Sequence, residues 1–122
     1  MHKSSDHYLF AKYADFILFF VHKGTLPTEL GLLTNVEVFS VSRNPGIIGG
    51  VPDTLENLTL IEDAYFHGTG LTSGLETLFC GAYLLDKFYA DCSSSGGLVA
   101  AEINCTCCTD CCSRSGTGCV SV

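Results

Sequence analysis

The first 79 residues of this 122-residue chain contain no cysteine, and all eight fall at 80, 92, 105, 107, 108, 111, 112 and 119. That absence confines covalent cross-linking or thiolate metal binding to the C-terminal end, and the even count there suits full pairing. Positive charge is also scarce: six Lys and Arg face thirteen Asp and Glu, a net of −7. Such a surface repels phosphate backbones and anionic lipid, which sets aside nucleic acid and polybasic membrane contacts. Long apolar runs are missing too. In YLFAKYADFILFFV, Lys12 and Asp15 interrupt the hydrophobic stretch, so only Phe16 to Val21 is unbroken, and no small-residue cleavage site follows. Neither a transmembrane helix nor a standard signal peptide is supported, and a buried strand is expected there.

What is present is a packed composition, 47% apolar and only 16% charged, with room for one compact domain or a few units of an array. Aligned on itself, LPTELGLLTNVEVFSV at Leu26 to Val41 is echoed by VPDTLENLTLIEDAYF at Val51 to Phe66, an offset of 25 (51 − 26). Leu30 falls on Leu55, Gly31 on Glu56, Leu33 on Leu58, Val36 on Ile61, Phe39 on Ala64 and Val41 on Phe66. Periods in this range mark solenoids, whose units bury their apolar faces by stacking. Within a unit the pattern is that of a leucine-rich repeat, seen as Val36, Phe39, Val41, Asn44, Ile47 and as Ile61, Ala64, Phe66, Thr69, Leu71. Phe39 alternating with Val41, and Ala64 with Phe66, predicts short strands with one buried face, so that Ser40, Ser42, Tyr65 and His67 point the other way. A buried Asn satisfies inward-facing backbone donors and acceptors at the turn that follows; Thr69 replaces only part of Asn44 in that role, so the second turn is expected to be the less well satisfied.

A third unit is partly visible in Leu71, Gly74, Leu75 and Phe79, with Glu76 where proline stood, and a last strand is expected at KFYADC, where Phe88 lies 24 residues (88 − 64) beyond Ala64. Upstream, ILFFVHKGTLP should supply the preceding strand, although Phe20 occupies an Asn position and Asp15 an apolar one.

GTLPTELGLLTN and GGVPDTLENLT resemble the plant-type subclass of leucine-rich repeats, in which proline opens the return segment. With Phe79 and Cys80, Ala90 to Cys92, and the tail Cys105 to Cys112 added, the chain resembles the C-terminal part of secreted or surface leucine-rich repeat proteins of diatom algae. The resemblance implies an extracellular or cell-surface recognition protein, usually preceded by further repeats; residues 1–23 depart from it and read as a degenerate, truncated or misassigned start. The expected organisation is a degenerate N-terminal segment over 1–23, leucine-rich repeats over 24–92 and a cysteine-rich cap over 93–122. The expected fold class is α/β: a short solenoid with parallel strands on one face, helical-turn or irregular return segments, and a disulfide-closed end.

NCTCCTDCC, Asn104 to Cys112, is compatible with a soft-metal cluster or with disulfides. Neighbouring α-carbons stand about 3.8 Å apart and a relaxed disulfide wants roughly 4.4–6.8 Å, so Cys107 should not bond Cys108, nor Cys111 bond Cys112. Cys80 and Cys92, on the last turns of the array, are candidate partners that would staple the tail over its open apolar end. A metal cage needs a reducing compartment, whereas the sequons at Asn57 and Asn104 suit export and glycosylation. The disulfide alternative, covering Cys80, Cys92, Cys105, Cys107, Cys108, Cys111, Cys112 and Cys119, is preferred, with no metal and no cofactor.

No catalytic arrangement emerges. HGTGLTSG, His67 to Gly74, lacks the context of a phosphate loop or a nucleophile elbow and reads as a repeat turn. Glu62 and Asp63 are adjacent on a strand and face opposite ways. A non-enzymatic binding module is expected, taking a protein or peptide ligand on the strand face, with membrane attachment only through regions outside this chain. The candidate surface comprises Val38, Ser40, Ser42, Arg43, Asp63, Tyr65 and His67, with Tyr65 as anchor and Arg43 and Asp63 setting charge preference. A structural cap fragment of a larger receptor or adhesion protein is the alternative, and a metal-binding tail a more distant one.

Overall fold

The computed structural model describes residues 8–13, 16–21, 24–81, 85–93, 103–113 and 118–121. They form a mixed α/β structure with few helices. The strands are β1 (Tyr8–Tyr13), β2 (Phe16–Val21), β3 (Val38–Ser40), β4 (Ile48–Gly50), β5 (Asp63–Tyr65), β6 (Gly70–Ser73), β7 (Lys87–Ala90), β8 (Asp110–Cys111) and β9 (Val120–Ser121), and the helix α1 spans Leu75–Phe79. One sheet has the order β1-β2-β3-β5-β7-β8-β9, and β4 pairs with β6 in a second. The run from β2 to β8 is parallel, and an antiparallel hairpin finishes each end.

The central register is the one predicted. Phe39 lies opposite Ala64, and Ala64 opposite Phe88. All three are buried, as are Val41, Phe66 and Ala90 one alternation further on. The Phe66 ring packs against Phe39 at 5.6 Å, Phe79 at 5.8 Å and Phe88 at 6.2 Å between centroids. Burying each such ring stabilises by about 1.5–3 kcal/mol, so four fully buried phenylalanines (39, 66, 79 and 88) tie the strands to one another and to α1.

The return segments follow the two prolines. Pro27 and Pro52, at φ −75° and −67°, lead into 3₁₀ turns at Thr28–Leu32 and Asp53–Asn57. These turns stack directly: Thr54 Oγ1 donates to the Thr28 carbonyl at 2.7 Å, and a Cβ on Gly31 would overlap Thr54. Glycine is therefore dictated at 31 by the neighbouring turn. Between β6 and β7, where Glu76 stands in place of a proline, the connecting segment is the short α1 instead.

At the first turn Asn44 donates its amide to the carbonyls of Val41 and Ser42. At the second, Thr69 Oγ1 donates to the Phe66 carbonyl and accepts from the Leu71 amide. The shortfall expected there is met from the next strand along. The buried Asp91 carboxylate accepts from the amides of Gly68, at 2.9 and 3.0 Å, and of Thr69 at 3.3 Å.

Two features differ from expectation. β2 pairs with β3 as Ile17 opposite Phe39, an offset of 22 (39 − 17), so Phe20 does not occupy the place of Asn44, and β1 adds a hairpin within the segment expected to be degenerate. At the other end the tail does more than cover: β8 extends the parallel sheet, Ala90 opposite Cys111, with the Cys112 amide donating to the Ala90 carbonyl at 2.8 Å. Ile103, Cys105 and Cys108 join the core. Among the described residues no helix is long and apolar enough to cross a membrane.

Candidate binding surface

Side chains on the core side are apolar; those opposite carry the chemistry. In-register pairing aligns Val38, Asp63 and Lys87 in one row, and Ser40, Tyr65, Tyr89 and Asp110 in the next. Tyr65 and Tyr89 hold their rings 5.2 Å apart at 57°, and His67 packs against both, at 6.2 Å and 5.4 Å. The three rings form a continuous aromatic cluster bordered by Asp63, Lys87 and Asp110.

The seven predicted surface residues are not equivalent. Tyr65 and Asp63 are half-buried and lie together, and Val38 is in register with Asp63. Arg43 is exposed in the left-handed region at φ 60°, its amide donating to the His67 carbonyl at 2.9 Å. Ser40 is buried, and its hydroxyl pairs with that of Ser42 at 3.1 Å. His67 is buried as well, and among the described residues its Nδ1 has no hydrogen-bond partner. Ser40 and His67 therefore contribute little exposed surface of their own. Sequence reasoning missed Tyr89, Lys87 and Asp110. The 24-residue offset that set Phe88 beside Ala64 also sets Tyr89 beside Tyr65 and Lys87 beside Asp63; Asp110 had no such signal, because its strand lies in the cysteine tail.

Burial, and then the charges of Asp63, Tyr89 and Asp110, raise the Tyr65 phenol above its ordinary value. Burial first, and the Arg43 guanidinium second, lower His67 below the ordinary imidazole value, favouring the neutral ring.

The tail is covalently tied: Cys80–Cys107, Cys92–Cys111, Cys105–Cys108 and Cys112–Cys119 are disulfides. Neither vicinal pair is joined, as spacing required, and Cys80 and Cys92 each take a tail partner. Helix α1 positions the first bridge. Glu76 and Cys80, one turn apart, grip neighbouring tail residues: the Glu76 carboxylate accepts from the Thr106 amide at 2.6 Å and from its hydroxyl, beside the Cys80–Cys107 bond. Those hydrogen bonds lower the Glu76 carboxyl below its ordinary value. The sulfurs of Cys80, Cys105 and Cys107 all lie within 4.8 Å of one another, a spacing a soft metal ion could exploit, but each belongs to a disulfide and offers no thiolate. In His67 to Gly74, Gly68 at φ 75° backs onto the Arg43 backbone, as a turn between stacked strands requires. Asn57 and Asn104 are both exposed, though the Thr106 hydroxyl of the second sequon is held by Glu76.

Comparison with family models, with curated proteins and with solved structures found no match for this chain.

Proposed function

We propose that the chain is a leucine-rich repeat recognition module of the cell surface or extracellular space, which binds a protein or peptide partner through its strand face. The observation that carries this is the register. Strands offset by 25 and 24 residues (64 − 39 and 88 − 64) pair in parallel, which leaves one side of the sheet to the core and collects Tyr65, Tyr89, Asp63 and Asp110 on the other. Aromatic rings that are already packed lose little freedom on binding, which suits them as anchors. Four disulfides are compatible with an oxidising compartment, and exposed Asn57 is available for a glycan away from the strands. No residue is assigned a catalytic role.

The test is a binding screen of the disulfide-intact chain against secreted and surface proteins, with Tyr65→Ala in parallel. Partners that bind the parent and are lost or weakened at least tenfold in the variant support the proposal. An identical binding profile for both chains removes the strand face from the account. A second reading, a closing cap without a ligand of its own, draws on the tail: it extends the sheet at Ala90 and puts Ile103, Cys105 and Cys108 into the core. Absence of any Tyr65-dependent partner would favour that reading.

A further inference from the structure

The aromatic cluster has a charge signature that specifies its partner further, given the strand-face reading on which this inference rests. Tyr65 and Tyr89 are half-buried, so each keeps part of its side chain open to solvent, while the buried His67 ring packs against both. Carboxylates stand on two sides. Asp63 precedes Tyr65 by two residues on the same strand face, and Asp110 is in register with Tyr89. Lys87 is exposed and aligned with Asp63, but among the described residues neither carboxylate is engaged by a basic side chain, and Asp110 takes only a long contact of 3.5 Å from the Ser121 hydroxyl. Burial, and then the Arg43 guanidinium on the His67 side of the cluster, disfavour a positive charge on His67. The chain as a whole is acidic, with a net of −7.

A π face attracts cations, and a planar guanidinium can lie over one ring while its N–H groups fork toward a carboxylate, which a compact ammonium cannot do as well. We propose that the Tyr65–Tyr89 pair receives the guanidinium of an arginine presented by the protein partner, with Asp110 and Asp63 supplying the counter-charge. The occupant is thus a basic, arginine-bearing peptide segment. An acidic segment would meet both carboxylates.

The experiment titrates the full, disulfide-bonded chain with a blocked Gly-Arg-Gly-Arg-Gly peptide. The matched controls carry citrulline, the neutral planar isostere, or glutamate in place of arginine. Tyrosine emission reports binding directly, since the chain has no tryptophan, and ring NMR shifts locate it. The arginine peptide should bind and the other two should not. Tyr89→Leu and Asp110→Asn should each weaken binding by about two- to thirty-fold, while Tyr89→Phe, which keeps the ring and its packing, stays within about twofold of the parent. Equal arginine affinity in Tyr89→Leu and parent would reduce the effect to diffuse attraction by an acidic surface and overturn the inference. Citrulline or glutamate peptides that bind as well as arginine, and lose binding in Tyr89→Leu, would overturn the arginine assignment while leaving the strand face as the binding surface. If no peptide's binding responds to Tyr65→Leu or Tyr89→Leu, the arginine inference falls, while the strand-face reading stands or falls on the Tyr65→Ala partner screen.

Discussion

The stretch from β3 to β7 and the tail that follows are held together by opposite means. In the first, cysteine enters only at 80, and order comes from apolar side chains stacked in register: Phe66 touches Phe39, Phe79 and Phe88. In the tail, the described residues 103–113 hold five of the eight cysteines, and strand β8 is only two residues long. A segment that buries so little apolar surface of its own needs constraint from elsewhere. Two bridges supply it by crossing to Cys80 and Cys92, and two more close loops within the tail. Packing defines the one region, and covalent linkage the other.

Breaking each region by its own means should therefore give different outcomes. The largest effect is expected for Phe66→Ala, which removes the ring common to three contacts at a fully buried position: about 3–5 kcal/mol lost, with a lower midpoint in denaturant and no surviving subdomain. Replacing Cys80 and Cys107 together by Ala should cost about 2–4 kcal/mol through the opened loop, and limited proteolysis should then cut near Thr106 before it touches β3 or β5. Asp91→Ala should cost about 1–3 kcal/mol by leaving buried amides of Gly68 and Thr69 without their acceptor, with faster amide exchange at those two residues as the specific sign.

Smallest are the pH effects. His67 has a folded value below its unfolded one of 6.5, so the unfolded chain takes up the proton first. Its stabilising contribution is complete above 6.5, falls as pH drops through that value, and levels off below the depressed folded value. Chemical denaturation across that window should show the decline in the parent and a smaller one in His67→Phe. Glu76 is lowered too; its grip on Thr106 is present above the ordinary carboxylate range and lost as pH falls through the folded value, which backbone NMR at Thr106 would follow.

Legibility in the sequence follows the same division. Phe39, Ala64 and Phe88 could be aligned by counting, because parallel stacking converts equal spacing into contact. The same count reaches Tyr89, half of the aromatic pair, but only when carried past the apolar positions to the polar ones between them. Counting failed where the period changes. β2 meets β3 at an offset of 22 (39 − 17) and β8 meets β7 at 21 (111 − 90), so neither strand's register follows from the 25- and 24-residue offsets of the central strands. Asp91 was invisible for another reason: it serves the turn after β5, and no local pattern marks a side chain that acts across strands. Spacing excluded the vicinal disulfides, but pairing among the remaining cysteines depends on where β8 docks.

Amide hydrogen exchange on the intact and the reduced chain tests the central claim most directly. The amides of Val41 and Phe66 donate to Tyr65 and Tyr89, and that of Cys112 donates to Ala90, along one continuous sheet. Before reduction all three should be protected; after reduction Cys112 should exchange rapidly while Val41 and Phe66 remain slow. Loss of protection at Val41 and Phe66 as fast as at Cys112 would contradict the account, because the stacked aromatic core would then have no stability apart from the bridges.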